Sequence, residues 1–216
     1  MATILLLGAS GFLGNAIKNV LTLHGGHMVI SPTHSGMDLQ VGADAEIDWA
    51  DIFSNGPFNA VINCVGSHDD ALVSKMVDAQ WNRVIDTNLT GTFRLIRALD
   101  GHLATPARIV LLGSAARGVP RAANYVASKA GLVGLVGSLA AEMAPNVAIN
   151  VVNPGFIDSP MVDALPEHVT AKVLSNTPMR RLGTAAEVAA LVTWLALDAP
   201  LFLTGQAINI DGGWKL

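Results

Sequence analysis

The stretch Ile4-Leu5-Leu6-Leu7-Gly8-Ala9-Ser10-Gly11-Phe12-Leu13-Gly14 decides the fold. Four consecutive aliphatic residues make a short buried strand, Thr3–Leu7, apolar on both faces as a covered parallel strand is. Phe12–Leu23 follows, with Ile17, Val20 and Leu21 at helical spacing. Three glycines thus sit where a strand turns into a helix. Glycine lets the chain turn tightly and lets a phosphate approach the backbone, and the helix N-terminus offers free N–H groups and a positive dipole end. A turn without any ligand is the plain alternative. The position after an N-terminal strand favours nucleotide binding. Gly8, Ser10, Gly11, Phe12, Leu13 and Gly14 are therefore candidate cofactor contacts.

Outward from this loop, strand-like and helix-like runs alternate. His27–Ser31, Phe58–Cys64, Arg108–Leu112, Val147–Val152 and Ala207–Ile210 read as strands. Ala79–Leu99, Ala122–Ala144 and Ala185–Leu197 read as helices. Residues 32–57 are poorly patterned, with a short strand at 38–41 and a short helix at 48–54. This βαβ rhythm predicts an α/β fold, a Rossmann-type doubly wound parallel sheet with helices on both faces. No linker or repeat interrupts it, so residues 1–216 are expected to form one domain.

Hydrophobic residues make up 51% of the chain and charged residues 14%, which excludes a disordered chain. A net charge of -4 argues against a nucleic-acid partner, whose phosphates demand a basic surface. Val188–Leu203, the nearest approach to an 18-residue apolar run, is broken by Asp198 and Pro200, so no membrane span is expected. The single cysteine, Cys64, excludes an internal disulfide and suits a reducing cytoplasm. It reads as a small core residue. The six histidines show no ligand spacing, so no metal site is expected.

A dinucleotide fold that prefers NAD carries an acid at the end of the second strand, bonding the adenine ribose. Here the stretch is Ser31-Pro32-Thr33-His34-Ser35, and the first acid is Asp38. The missing carboxylate admits a 2′-phosphate, and Ser31, Thr33 and His34 offer hydrogen bonds to it. No arginine stands there to attract the phosphate. The balance leans to NADP(H) over NAD(H).

Tyr125 is the only tyrosine, and Lys129 follows it by four residues, one helical turn on. A neighbouring ammonium favours the phenolate and lowers a tyrosine pKa towards the working range of an acid/base. Ser114, just past a strand, can offer a hydroxyl to a carbonyl oxygen in the same pocket. Alone, each is an ordinary residue. Beside the glycine loop and the βαβ order, the trio points to catalysis.

Tyr125-Val126-Ala127-Ser128-Lys129 resembles the Tyr-x-x-x-Lys motif of the short-chain dehydrogenase/reductase family. Asn63-Cys64-Val65-Gly66 resembles that family's Asn-Asn-Ala-Gly segment. Asn88-Leu89-Thr90-Gly91-Thr92-Phe93 is similar to the helix segment carrying its catalytic asparagine. Asn153-Pro154-Gly155-Phe156-Ile157 resembles the segment lining the nicotinamide. Arg181-Leu182-Gly183, Thr204-Gly205-Gln206 and Asp211-Gly212-Gly213 are similar to its C-terminal signatures. The match covers nearly the whole chain and most resembles the branch of the 3-oxoacyl-carrier-protein reductases. It departs at the glycine loop, where Phe12 stands in place of that branch's middle glycine.

The resemblance implies a carbonyl–alcohol oxidoreductase with the tetrad Asn88, Ser114, Tyr125 and Lys129. Tyr125 would exchange the proton and Ser114 would hold the substrate oxygen. Lys129 would bond the nicotinamide ribose and depress the tyrosine pKa, and Asn88 would anchor a water in the proton relay. Asn63, Cys64, Val65, Gly66, Tyr125, Lys129, Pro154, Gly155 and Ile157 would line the cofactor. A homodimer or homotetramer through the two long helices is also implied. Residues 158–180, with Pro160, Pro166 and Pro178, are expected to cover a modestly apolar small-molecule carbonyl or alcohol. Two other readings stand beside this one. An epimerase or dehydratase would use the nicotinamide transiently, and a non-catalytic dinucleotide sensor would only bind it.

Overall fold

The computed structural model describes residues 1–32, 49–117 and 119–214. The elements in chain order are β1 (Ala2–Leu7), α1 (Phe12–His24), β2 (His27–Ile30), α2 (Ala50–Phe53), β3 (Phe58–Asn63), α3 (Asp78–Ile85), a π-turn (Asp86–Thr90) and α4 (Gly91–Ala98). They continue as β4 (Leu103–Leu112), α5 (Ala123–Met143), β5 (Val147–Pro154), α6 (Pro160–Asp163), α7 (Glu167–Asn176), α8 (Ala185–Leu197) and β6 (Ala207–Ile210). The proposed strand at 38–41 lies outside the described residues, as do Thr33, His34 and Asp38.

The six strands form one parallel sheet in the order β2-β1-β3-β4-β5-β6. Strand alternation sends neighbouring aliphatics to opposite faces. Ile4, Leu6, Ile62, Val110 and Leu112 pack under α1 and α8, against Ile17, Leu21, Val188 and Val192. Leu5, Leu7, Val61, Ile109 and Leu111 pack under α4 and α5, against Leu95, Leu132 and Val136. Burying each such side chain stabilises the fold by about 2 kcal/mol. The expected doubly wound architecture is the observed one.

Several boundaries differ from expectation for visible reasons. β4 begins at Leu103, five residues early. Its register against β3 shifts between Phe58 and Ala60, and that irregularity accommodates Pro106 inside the strand. The helix expected over 79–99 is three pieces, because the π-turn inserts between α3 and α4. Residues 158–180 hold two helices. Pro160 takes the first turn of α6 and Pro166 caps α7, so prolines that looked like breakers start helices.

α5 presents Asn124, Ser128, Leu132, Val136 and Ala140, every fourth residue, as its buried stripe. By length and hydropathy alone this helix is long and apolar enough to cross a membrane, although its small and polar residues interrupt any continuous apolar run. Here it packs on the sheet. Gly131 lets it approach the π-turn, since a Cβ there would lie 2.7 Å from Leu89. Gly134 and Gly137 do not pack on the sheet; they face open space.

Candidate active site

The chain leaves β1 towards β2 on one side and returns to β3 on the other, so loops splay apart at the carboxyl ends of β1 and β3. Crevices of this kind are where open α/β sheets bind ligands. The glycine loop fills this place. Gly8 has φ 77°, in the left-handed region, and a Cβ on it would lie 2.9 Å from the backbone of Cys64 and Val65. Gly14 is tighter, since a Cβ there would lie 2.0 Å from the Gly8 carbonyl oxygen. α1 starts at Phe12 with Gly11 as its cap, and no side chain bonds its first turn. Phe12 turns its ring outward, 48% exposed, so it replaces a glycine without filling the loop. This cradle of backbone N–H groups fits a pyrophosphate. Ser10 lies exposed on its rim, Leu13 packs back on the core, and Ser31 follows the end of β2.

The loop after β3 is held from inside. Asn63 is buried, donating to Thr92 Oγ1 at 3.0 Å and accepting from the Val65 amide at 3.1 Å. Its side chain therefore fixes the loop from within. Burial pushes the Cys64 thiol up to about 12, against a smaller downward pull from Lys129, so it stays protonated and inert. Gly66 lies against Lys129 and Asn88. A Cβ there would stand 3.2 Å from Lys129 Nζ and 3.5 Å from Asn88 Oδ1.

Asn88 sits fully buried in the π-turn, a distortion frequent at functional sites. Its Oδ1 accepts from the Ser67 amide at 2.7 Å, and Nδ2 donates to the Ser67 carbonyl and to Ser128 Oγ, both at 2.9 Å. Ser128 in turn donates to the Tyr125 carbonyl at 2.7 Å. Both amide protons are committed, so Asn88 clamps the loop after β3 to α5. The side chain of Asn88 thus positions two elements of the site. Ser128, inside the Tyr-x-x-x-Lys motif, is a member of this clamp that motif matching passed over.

Tyr125 and Lys129 lie one turn apart on α5, with Nζ 5.9 Å from the phenol ring centre. Lys129 is buried and donates to the Leu112 carbonyl at 2.7 Å, leaving two donors for a bound hydroxyl. Burial pushes its pKa down to about 8. The Ser114 hydroxyl accepts from the Ala116 amide at 3.1 Å and also interacts with the Tyr125 phenol. The expected lowering of the tyrosine pKa is not found. Burial dominates and pushes the phenol up, Ser114 draws it down, and the charge of Asp70 pushes it up again. At neutral pH the Tyr125 phenol therefore keeps its proton, beside a charged lysine.

The far wall comes from the end of β5. Gly155 lets the Asp211 turn approach, since a Cβ would lie 2.7 Å from Asp211 Cα. Pro154 accepts from the Ala115 amide at 2.9 Å, which ties this wall to the Ser114 loop. Ile157 is buried and pairs with Gly183, so it supports the wall from the core side. Arg181 grips Glu187 through two hydrogen bonds of 2.9 and 2.6 Å, and Glu187 closes a capping box with Thr184. The signatures at Arg181–Gly183 and Asp211–Gly213 thus fasten the two ends of the segment 158–180, through the Asp158 amide to the Gly183 carbonyl and the Met179 amide to the Gly212 carbonyl.

A family profile described as Enoyl-(Acyl carrier protein) reductase matches residues 46–215. The 3-oxoacyl-(acyl-carrier-protein) reductase FabG of Salmonella typhimurium is 34% identical, over 97% of this chain and 95% of its own. The chain belongs to the short-chain dehydrogenase/reductase family. It is an NAD(P)-dependent oxidoreductase acting between a carbonyl and an alcohol. Among solved structures, a 3-oxoacyl-(acyl-carrier protein) reductase from Brucella melitensis superposes with a TM-score of 0.84 at 28% identity, covering 100% of this chain and 91% of that one. Thermoplasma acidophilum aldohexose dehydrogenase superposes with a TM-score of 0.85 at 27% identity, covering 98% and 93%. Two proteins named for such different substrates share this chain's fold. Among the described residues no cluster of His, Cys, Asp or Glu could hold a metal.

Proposed function

We propose that this short-chain dehydrogenase/reductase is a ketone reductase that prefers NADP(H), working as one domain with residues 158–180 over the substrate. The observation that carries this reading is the convergence of the Tyr125 phenol and the Ser114 hydroxyl beside the Lys129 ammonium. Two neutral donors can then hold one carbonyl oxygen, and Tyr125 can pass it a proton. When bound, the nicotinamide supplies or accepts the hydride. The glycine cradle would hold the pyrophosphate, and Lys129 would reach the ribose with its two remaining donors. Asn88 and Ser128 keep Tyr125 and the loop after β3 in register.

The preference for NADP(H) rests on Ser31–Ser35, which holds no carboxylate to repel a 2′-phosphate. Titrating the protein with NADPH and with NADH, followed by nicotinamide fluorescence, should give the tighter constant for NADPH. A tighter NADH constant would place an acid such as Asp38 at the ribose instead. The exposed flank of α5 around Gly134 and Gly137 supports a homodimer or homotetramer, and the single cysteine supports a cytoplasmic setting.

The lysine sets the pH response. Its charged form persists below about pH 8 and is lost above. The alkaline limb of kcat/KM for NADPH should therefore fall with a midpoint near 8, well before the phenol ionises. A limb beginning only above 10 would mean that Lys129 keeps its proton and that burial does not govern it.

A further inference from the structure

The loop after β3 carries two adjacent acids with different fates. Asp69 is neutralised by an ion pair with Arg83 and a 2.8 Å bond from Gln80 Nε2. Asp70 is exposed, and its carboxylate has no ion pair or hydrogen bond among the described residues.

The backbone around Asp70 is nevertheless fixed. The Asp69 carbonyl accepts from Asn124 Nδ2 at 3.0 Å, and the Ala71 amide donates to the Arg121 carbonyl at 2.8 Å. Asn124 also accepts from the Tyr125 amide at 2.8 Å. Asp70 is therefore strapped on both sides, to the first turn of α5, which presents the phenol, and to the chain just before it. We propose that Asp70 is a charge filter at the substrate mouth, selecting neutral carbonyl compounds over those carrying an anionic group near the reacting carbon. The inference rests on Tyr125 being the proton donor at a carbonyl site.

The electrostatics agree with the placement. Behind burial and the Ser114 hydroxyl, Asp70 is the charge that reaches the phenol, and it resists negative charge there. Lys129 is the opposing charge, 5.9 Å from the ring. An exposed carboxylate acts through screened solvent, so its effect on a charged substrate is modest and salt-dependent.

The test compares ethyl acetoacetate with acetoacetate, two forms of one skeleton that differ by a charge, in the full protein and in Asp70→Asn. At low ionic strength the variant should raise kcat/KM for acetoacetate relative to the ester by about three- to tenfold. The gain should shrink towards unity in 0.5 M salt, and Asp70→Glu should retain the wild-type ratio. An unchanged ratio in Asp70→Asn would overturn the proposal.

A second readout needs no turnover. Tyr125 is the only tyrosine, so an alkaline absorbance titration reports that phenol alone. By then Lys129 has lost its proton, and Asp70 is left as the charge acting on it. Its midpoint should fall in Asp70→Asn, and an unmoved midpoint would overturn the filter whatever the activity. If the wild type reduced neither compound while the midpoint fell, the carbonyl-site reading would fail and the reach of Asp70 would stand.

Discussion

Tyr125→Phe should lower kcat for ketone reduction by about 10²- to 10⁴-fold, the range a positioned acid contributes. NADPH affinity should stay within about threefold, because this substitution leaves the glycine cradle and Lys129 intact, and binding at those groups rests on charge and backbone donors. The ring itself is kept, so its packing near Lys129 survives. Only the hydroxyl and its contact with Ser114 are removed, at a stability cost of about 1 kcal/mol. Steady-state kinetics beside a fluorescence titration separates the two effects. A variant that kept activity within tenfold would remove Tyr125 from the proton transfer.

The second large effect is expected at Gly14. A Cβ there would lie 2.0 Å from the Gly8 carbonyl oxygen, 2.7 Å from its carbon and 3.0 Å from Ala9 Cα. All three are backbone atoms of the loop itself, so no side chain can swing away. Gly14→Ala must push α1 off the end of β1, and overpacking of this kind costs about 3 kcal/mol. For a chain of this length that corresponds to a fall in Tm of roughly 6 to 12 °C. NADPH binding should weaken by tenfold or more, since the α1 N-terminus moves with the helix. Gly11→Ala is the control. Its Cβ would stand 3.3 Å from the Gly8 oxygen, and its backbone is extended at φ -73°, which alanine adopts freely. It should change Tm and affinity little. Equal damage at both positions would show that flexibility, not the contact at Gly14, explains the loop's glycines.

The sheet was legible because its strands are written plainly. Runs such as Ile4–Leu7 and Ile109–Leu112 are apolar on both faces, and that pattern has no other economical use in a chain this size. Tyr125 and Lys129 were legible because one helical turn separates them whatever packs around the helix. The role of Asn88 was not. Its partners Ser67 and Ser128 come from distant positions that only the fold brings together. The one trace in the sequence is a polar run, Asp86-Thr87-Asn88, inside a helix that should be burying apolar residues.

The side-chain partners of Asn63 were hidden for a related reason. The motif placed it correctly at the end of β3, but side-chain direction depends on Thr92, which lies across on α4. The sign of the Tyr125 shift was missed because a neighbouring lysine can be counted in a sequence, whereas burial cannot. Lys129 is itself desolvated, and the phenol feels the loss of water first.

The central claim is that these residues serve hydride exchange between a nicotinamide and a carbonyl. The most direct measurement supplies NADPH deuterated at both C4 positions together with ethyl acetoacetate, and examines the recovered alcohol by mass spectrometry and proton NMR. The account predicts one deuterium on the carbinol carbon, stoichiometric with NADPH consumed, and none formed by Tyr125→Phe on the same timescale. Alcohol without label, or label transferred equally well by Tyr125→Phe, would contradict it.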